Sequence, residues 1–186
     1  MKDYVRCKAC GYIMERSKLG DKCPACGVSA TMFEPYDDKL SEKRRRLLDI
    51  HVHPIVVHFP QAFAAFLAAV GVVLFFAAGA LRTLLVDTAS VLGVLMPFSV
   101  AAAFTAGVFD GRLRFRRLDT PSLRRKMLFG GIFFFLACAQ ALVVLVAGLE
   151  TDASLAAFTL LDAAGLAVAV KLGLLGAPLF VAKFPG

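Results

Sequence analysis

Polar and apolar residues are segregated along this 186-residue chain. Residues 1–54 are polar and charged, whereas residues 55–183 carry long apolar runs separated by short polar segments. Four runs predict spans, at about 55–81, 85–109, 127–149 and 155–182. At a rise of about 1.5 Å per residue, each can cross a hydrocarbon core about 30 Å thick. Backbone groups in lipid need hydrogen-bond partners within their own segment, so the runs are expected to be helices. The pattern predicts an all-α membrane protein with four transmembrane helices, preceded by a small polar unit. Small residues recur along the runs: Ala64, Ala65, Ala68 and Gly71; Ala103 and Gly107; Gly165, Gly173 and Gly176. They let helices approach closely and predict a compact four-helix bundle.

Composition agrees, because 59% of the residues are hydrophobic and a soluble domain needs only about half. The formal charge is +7, with 21 Lys and Arg against 14 Asp and Glu. Eleven of the basic residues precede residue 54 and seven lie between Arg112 and Lys126. Both groups flank predicted spans, where Lys and Arg set orientation, so no nucleic-acid partner is expected. The segment GRLRFRRLDTPSLRRK contains Asp119 as its one acid, and Lys43, Arg44, Arg45 and Arg46 precede the first span. The loop near Arg82 to Asp87 carries one charge of each sign, and Glu150-Thr151-Asp152 is acidic. Basic loops remain cytoplasmic, which predicts a multi-pass protein of a bacterial-type cytoplasmic membrane with both termini inside. The opening MKDYVRCKACGYIM lacks the short apolar core of a signal peptide, so the N-terminal unit is expected to stay where it is made.

Four of the five cysteines form two pairs, Cys7-x-x-Cys10 and Cys23-x-x-Cys26, with twelve residues between the pairs. Two C-x-x-C pairs can complete a tetrahedral set of four thiolates on one metal. Gly11 and Gly27 follow the second cysteine of each pair. A glycine there permits the positive φ that turns backbone N–H groups towards sulfur, and such donors tune a bound metal. Disulfides are the alternative use of four cysteines, but a cytosolic unit sits in a reducing compartment where they are rare. Spacing alone leaves iron and zinc both open.

The flanking residues resemble a known family. YVRCKACGYI (Tyr4–Ile13) and CPACGVSATMFEPY (Cys23–Tyr36) are similar to the two knuckles of rubredoxin. The short spacer is similar to that of the rubredoxin-type domain of rubrerythrins. The resemblance implies a rubredoxin-like β/knuckle domain over residues 1–36, binding one iron through Cys7, Cys10, Cys23 and Cys26 and passing single electrons. The chain has no Trp, so the small core is expected to rest on Tyr4, Tyr12, Ile13 and Phe33. The paired Glu-x-x-His helices of a carboxylate di-iron site do not occur in the sequence. Residues 37–54 read as a basic juxtamembrane connector in which Ser41 can cap a short helix, and residues 55–183 as the bundle.

All three histidines lie in HVHPIVVHFPQAF: His51, His53 and His58. On a continuous helix His51 and His58 would share a face, while Pro54 suits a first turn and Pro60 predicts a kink. Ionisable groups at membrane depth are functional candidates, and the cluster predicts a haem b or quinone site. A bis-His haem would need a second copy of the chain or His51 folding back. His53 to Pro60 also resembles the His-Pro-x-x-Val-His-Phe-Pro opening of an uncharacterised bacterial four-helix membrane family, whose second span ends in Gly-x-x-Asp, here Gly107 and Asp110. That resemblance implies architecture; Asp110 ends its helix on the same side as His58, so a carboxylate–imidazole contact is expected and Asp110 joins the three histidines in the candidate haem or quinone site. Arg124, Arg125 and Lys126 stand where members of that family often carry a histidine.

Asp162 and Lys171 lie nine residues apart in the fourth span, too far for a direct pair on one helix. Gln140 can bridge helices, and Cys138 reads as a small packing residue. The sequence therefore predicts a membrane-anchored electron carrier with a soluble or membrane-bound redox partner and no substrate of its own. A zinc-ribbon interaction module on a membrane anchor is the first rival. A small transporter is the second, motivated by Asp162, Lys171 and the prolines at 60, 97 and 178.

Overall fold

The computed structural model describes residues 3–37, 41–115 and 118–180. Residues 38–40 of the connector, Arg116 and Arg117, and the end of the fourth predicted span at 181–182 lie outside the described residues. The chain divides into two compact units, one reaching to Arg45 and one running from Arg46 to Leu175.

The first unit contains three short strands, β1 (Tyr4–Cys7), β2 (Ile13–Glu15) and β3 (Phe33–Tyr36). They form an antiparallel sheet in the order β2-β1-β3. Strand alternation puts Val5 and Cys7 of β1 on one face and Arg6 on the other. Arg6 stands directly opposite Glu34, forms an ion pair with it, and lies 6.0 Å from the Tyr36 ring centroid. Val5 and Cys7 are buried, as is Cys23. This corrects the expected aromatic core. Tyr12 is exposed, and Tyr4, Ile13 and Phe33 are only half-buried. Strands of three and four residues cannot cover an aromatic ring, so the interior is one Val and two cysteines. The Tyr4 ring instead receives the Arg45 guanidinium at 4.3 Å, a cation–π contact.

Six helices follow: α1 (Glu42–Asp49), α2 (Val52–Val56), α3 (His58–Leu74), α4 (Gly79–Phe115), α5 (Pro121–Ala147) and α6 (Asp152–Phe180). Ser41 stands just before α1, its carbonyl accepting from the Arg45 N–H at 3.0 Å. His51, in the left-handed conformation with φ 56°, ends that helix and precedes α2. Pro60 has no N–H to give Val56, its partner one turn back. The break accordingly falls at Val57, before Pro60, and Pro60 itself is buried in the first turn of α3.

Boundaries differ from the sequence pattern where apolar residues turn and where basic residues stay helical. The first span ends at Leu74, seven residues early, because Gly79 (φ 58°) reverses the chain. Arg82 closes that end, donating to the Leu74 carbonyl at 2.8 Å and the Glu150 carbonyl at 3.4 Å. Helix α4 continues past Phe109 to Phe115, and α5 begins at Pro121 rather than near 127. There the Thr120 side chain accepts from the Leu123 N–H at 3.4 Å, an N-cap ahead of a proline suited to the first turn. Arg124, Arg125 and Lys126 therefore form helical turns instead of a loop. Thr151 caps α6, accepting from Ser154 N–H at 3.2 Å.

Among the described residues, four helical stretches are long and apolar enough to cross a membrane: Lys43–Leu74, Gly79–Arg114, Pro121–Ala147 and Asp152–Gly176. Their interior combines small residues with large ones such as Leu67, Met96 and Phe158, and many other large apolar side chains face outwards. Ala64, Ala89, Ala137 and Ala169 are buried, whereas Phe76, Phe98, Phe135 and Val146 are exposed. Lipid removes the penalty for outward-facing phenyl rings, and small residues let backbones approach. Ala64, Gly71 and Ala103 are buried as the pattern predicts, but Ala65 and Gly173 face outwards. Gly130 does not stand out in the pattern, yet a Cβ there would lie 2.7 Å from Cδ2 of Phe104, while at Gly131 nothing lies within 4 Å. Gly130→Ala should destabilise the bundle by about 1–3 kcal/mol through overpacking. Gly131→Ala should leave it unchanged, as read by thermal unfolding of the two variants in detergent.

Candidate metal centre

The four cysteines sit in two loops of the same local design. In the first, the Cys7 N–H donates to the Tyr12 carbonyl at 2.8 Å and the Gly11 N–H to the Cys7 carbonyl at 2.8 Å. In the second, Cys23 N–H donates to Val28 at 2.7 Å and Gly27 N–H to Cys23 at 2.9 Å. Gly11 and Gly27 adopt φ 76° and 77°, the positive values the spacing predicts. Backbone N–H groups then reach the sulfurs: Tyr12 to Cys10, Val28 to Cys26, and Ala25 and Cys26 to Cys23.

The four Sγ atoms lie within 4.8 Å of one another. Cys7 Sγ is 3.8 Å from Cys26 Sγ, and Cys10 Sγ is 3.8 Å from Cys23 Sγ. These separations exclude disulfides, whose sulfurs are about 2.05 Å apart. They match the roughly 3.8 Å edge of a tetrahedron built on a metal–sulfur bond of about 2.3 Å. The donor set thus fits one tetrahedral iron or zinc. Burial is asymmetric in the same way in both loops. Cys7 and Cys23, the first of each pair, are buried, whereas Cys10 is half-buried and Cys26 exposed.

Without a metal the thiols do not ionise alike. Cys10 is pushed up to about 12: the Tyr12 N–H draws it down, but desolvation and the Cys26, Cys7 and Cys23 sulfurs outweigh that pull. Cys23 is drawn down to about 7: desolvation opposes, and the N–H groups of Cys26 and Ala25 with the Cys26 and Cys10 sulfurs prevail. Cys26 is raised, the Val28 N–H being outweighed by desolvation and the Cys23 and Cys7 sulfurs. Glu34 is held below the usual carboxylate range by its hydrogen bond from Arg6 against some desolvation, with attraction from Arg6 and Lys8 adding to it.

Residues 6–34 match the family described as rubrerythrin, rubredoxin-like domain. The N-terminal unit is therefore a rubredoxin-like domain with four cysteines placed for a metal. No curated protein and no solved structure matches the chain. The family match ends before the connector and does not reach the His53–Pro60 motif.

The other residues singled out in the sequence do not converge in the same way. His51 is exposed, its Nδ1 on the Asp49 carbonyl, and His58 is exposed, its Nδ1 on the Pro54 carbonyl. They lie on different helical segments, so the continuous helix that would align them is absent. Asp110 does not take His58 as its hydrogen-bonding partner. It accepts from Arg114 Nε at 2.9 Å, one turn along α4. His53 is the histidine that meets α4. Its Cε1 lies 2.9 Å from where a Cβ of Gly107 would stand, and the charges of Asp110, Lys126 and Arg114 act on it. His53 Nδ1 is buried and makes no hydrogen bond. Hydropathy assigns Lys126 to a loop; its standing where the resembled family often carries a histidine is the signal that could have placed its charge within reach of His53. The burial of Val5 also escapes the sequence reading, although strand alternation with Cys7 is an available signal for it, whereas the backbone donors to sulfur are those the two glycines predict.

The geometry makes the turn at Gly27 testable. Gly27 has open space around its Cα but a left-handed φ of 77°, so Gly27→Ala should cost about 1–2 kcal/mol. That is roughly five- to thirtyfold in metal affinity, measurable by competition with a chromogenic chelator. The site should also respond to pH. Bound thiolates compete with protons, and Glu34, held low, contributes stability that is lost as pH falls through its depressed value. Both effects have the same sign. Acidification should release the metal and loosen the N-terminal unit, while helix content, read by far-ultraviolet circular dichroism, remains.

Proposed function

We propose that this protein is a membrane-anchored one-electron carrier with iron in the Cys7, Cys10, Cys23 and Cys26 site. The supporting observation is the paired asymmetry of the site: the first cysteine of each loop is buried beside Val5, and the second forms an edge towards solvent. When bound, a single iron in such a thiolate set supplies one-electron chemistry between its ferric and ferrous states. The chain's own residues do the rest. Cys7 and Cys23 fix the centre in the sheet, and the Cys10–Cys26 edge offers it to a partner. The N–H groups of Tyr12, Ala25, Cys26 and Val28 lower the cost of thiolate charge, which is how a protein sets the potential of an iron–sulfur site. No acid–base constellation is required.

The four apolar helices serve as the anchor in a bacterial-type cytoplasmic membrane. Lys43 to Arg46 and the basic turns from Arg112 to Lys126 favour placing both termini in the cytoplasm. The partner is a soluble or membrane-bound redox protein. On the membrane side, His53 favours a quinone over a bis-His haem, since its Nδ1 is buried without a partner and the other two histidines are engaged with backbone carbonyls.

The test is a visible absorption spectrum of the purified full-length protein before and after dithionite, with iron, zinc and haem quantified. The account expects broad visible bands that bleach on reduction and about one iron per four cysteines. A colourless protein with zinc in the site, after expression in iron-replete cells, would favour the interaction-module reading instead.

A further inference from the structure

The interior of the helical unit holds one feature unrelated to the cysteines. Asp162 of α6 is 2% exposed, and so is Gln140 of α5. Gln140 Nε2 donates to Asp162 Oδ1 at 3.2 Å. Asp162 Oδ2 is buried and has no hydrogen-bond partner. Asp162 lies ten residues into α6, about 15 Å from the Asp152 end, which is close to the middle of a hydrocarbon core about 30 Å thick. Helix α6 is packed on three sides at this level. Thr159 meets Gly71 of α3, Phe158 meets Gly93 of α4, and Gly165 meets Phe133 of α5.

No counter-charge reaches the carboxyl. Among the described residues, the titratable and charged groups of the surrounding helices lie elsewhere. Asp87 on α4 and Lys171 on α6 are exposed, Lys126 is near the start of α5, and Cys138 on α5 is half-exposed. None of them exerts a charge on Asp162, whose one polar neighbour is the Gln140 amide. An ionised carboxylate here would keep its full desolvation cost, and groups so placed neutralise instead. A metal cation is a poor fit, since hard cations take six or more oxygens and this site offers a carboxyl and one amide.

We propose that Asp162 is a proton-binding site in the interior of the bundle, held by Gln140 and occupied in the resting protein. The Gln140 amide fixes Oδ1 as the carbonyl oxygen, and the O–H bond forms at Oδ2. Release of the proton breaks that bond and leaves a carboxylate that must draw water into the α5–α6 seam. Proton occupancy is thereby tied to the packing of α6 on α5, and the site is a candidate proton relay within the membrane. This inference does not depend on which metal the cysteines hold.

The experiment is infrared difference spectroscopy of the full-length protein in liposomes, titrated from neutral to alkaline pH, on the wild type and Asp162→Asn. The wild type is expected to show the carbonyl stretch of a protonated carboxylic acid at neutral pH. That band should disappear on alkalinisation and be missing in Asp162→Asn, with the visible spectrum of the cysteine site unchanged in both. Gln140→Ala keeps the carboxyl and covers the case in which Asp162→Asn does not fold. Loss of the amide donor should move the acid band to higher frequency. Identical spectra for the wild type and Asp162→Asn would overturn the proposal, as would an acid band unmoved in Gln140→Ala.

Discussion

Four sulfurs held within 4.8 Å of one another are the constraint around which the N-terminal unit is built. As thiolates they repel, and as thiols they gain little from proximity, so the arrangement calls for a cation at its centre. Nearly every local feature serves that convergence. Gly11 and Gly27 turn the backbone, the carbonyls of Tyr12 and Val28 close each loop, and the N–H groups after each pair face sulfur. The apolar interior is correspondingly small, with Val5 the one buried aliphatic side chain of the sheet. A metal supplies about 10–16 kcal/mol to comparable zinc peptides, far more than one valine. A metal in this site would supply most of the unit's stability.

The helical unit solves a different problem with a different solvent. Many of its large side chains face outwards, and small ones sit inside beside Phe158, Leu67 and Met96, because lipid removes the penalty for exposing phenyl and isobutyl groups. Specific contacts then come from fit: Gly130 on Phe104, Gly93 on Phe158, Gly107 under the His53 ring. Against that background the Gln140–Asp162 pair is expensive, and its persistence at the centre of the bundle is what marks it as a site. Arg82, by contrast, is a polar group with an architectural use, tying the ends of α3 and α5 together through carbonyls.

What can be read from the sequence follows from how local each signal is. The cysteine spacing and its glycines specify a tetrahedral centre within a few residues, so the ligands and the positive φ values are legible from residue order alone. Four spans are legible because bilayer thickness sets a minimum length. Their ends are not: Phe75 and Phe76 are apolar but turn at the helix end, while Arg124 to Lys126 are basic yet helical behind the Thr120 cap. Contacts between distant segments are the least visible. Pairing Asp110 with His58 is reasonable from hydropathy, but the break at Val57 and the small surface of Gly107 bring His53 to α4 instead. The Gln140–Asp162 bond joins residues 22 apart in sequence: each stands out as a polar residue in an apolar span, and Gln140 reads as a bridge between helices, but the local patterns do not say that the two meet.

The most direct test of the central claim is X-ray absorption at the iron edge, recorded on the full-length protein in native membranes. The account predicts a single shell of four sulfurs at about 2.3 Å, with no iron–iron scatterer, and an edge that shifts on reduction without change in coordination number. Oxygen or nitrogen scatterers in the first shell, or an iron–iron vector, would contradict it.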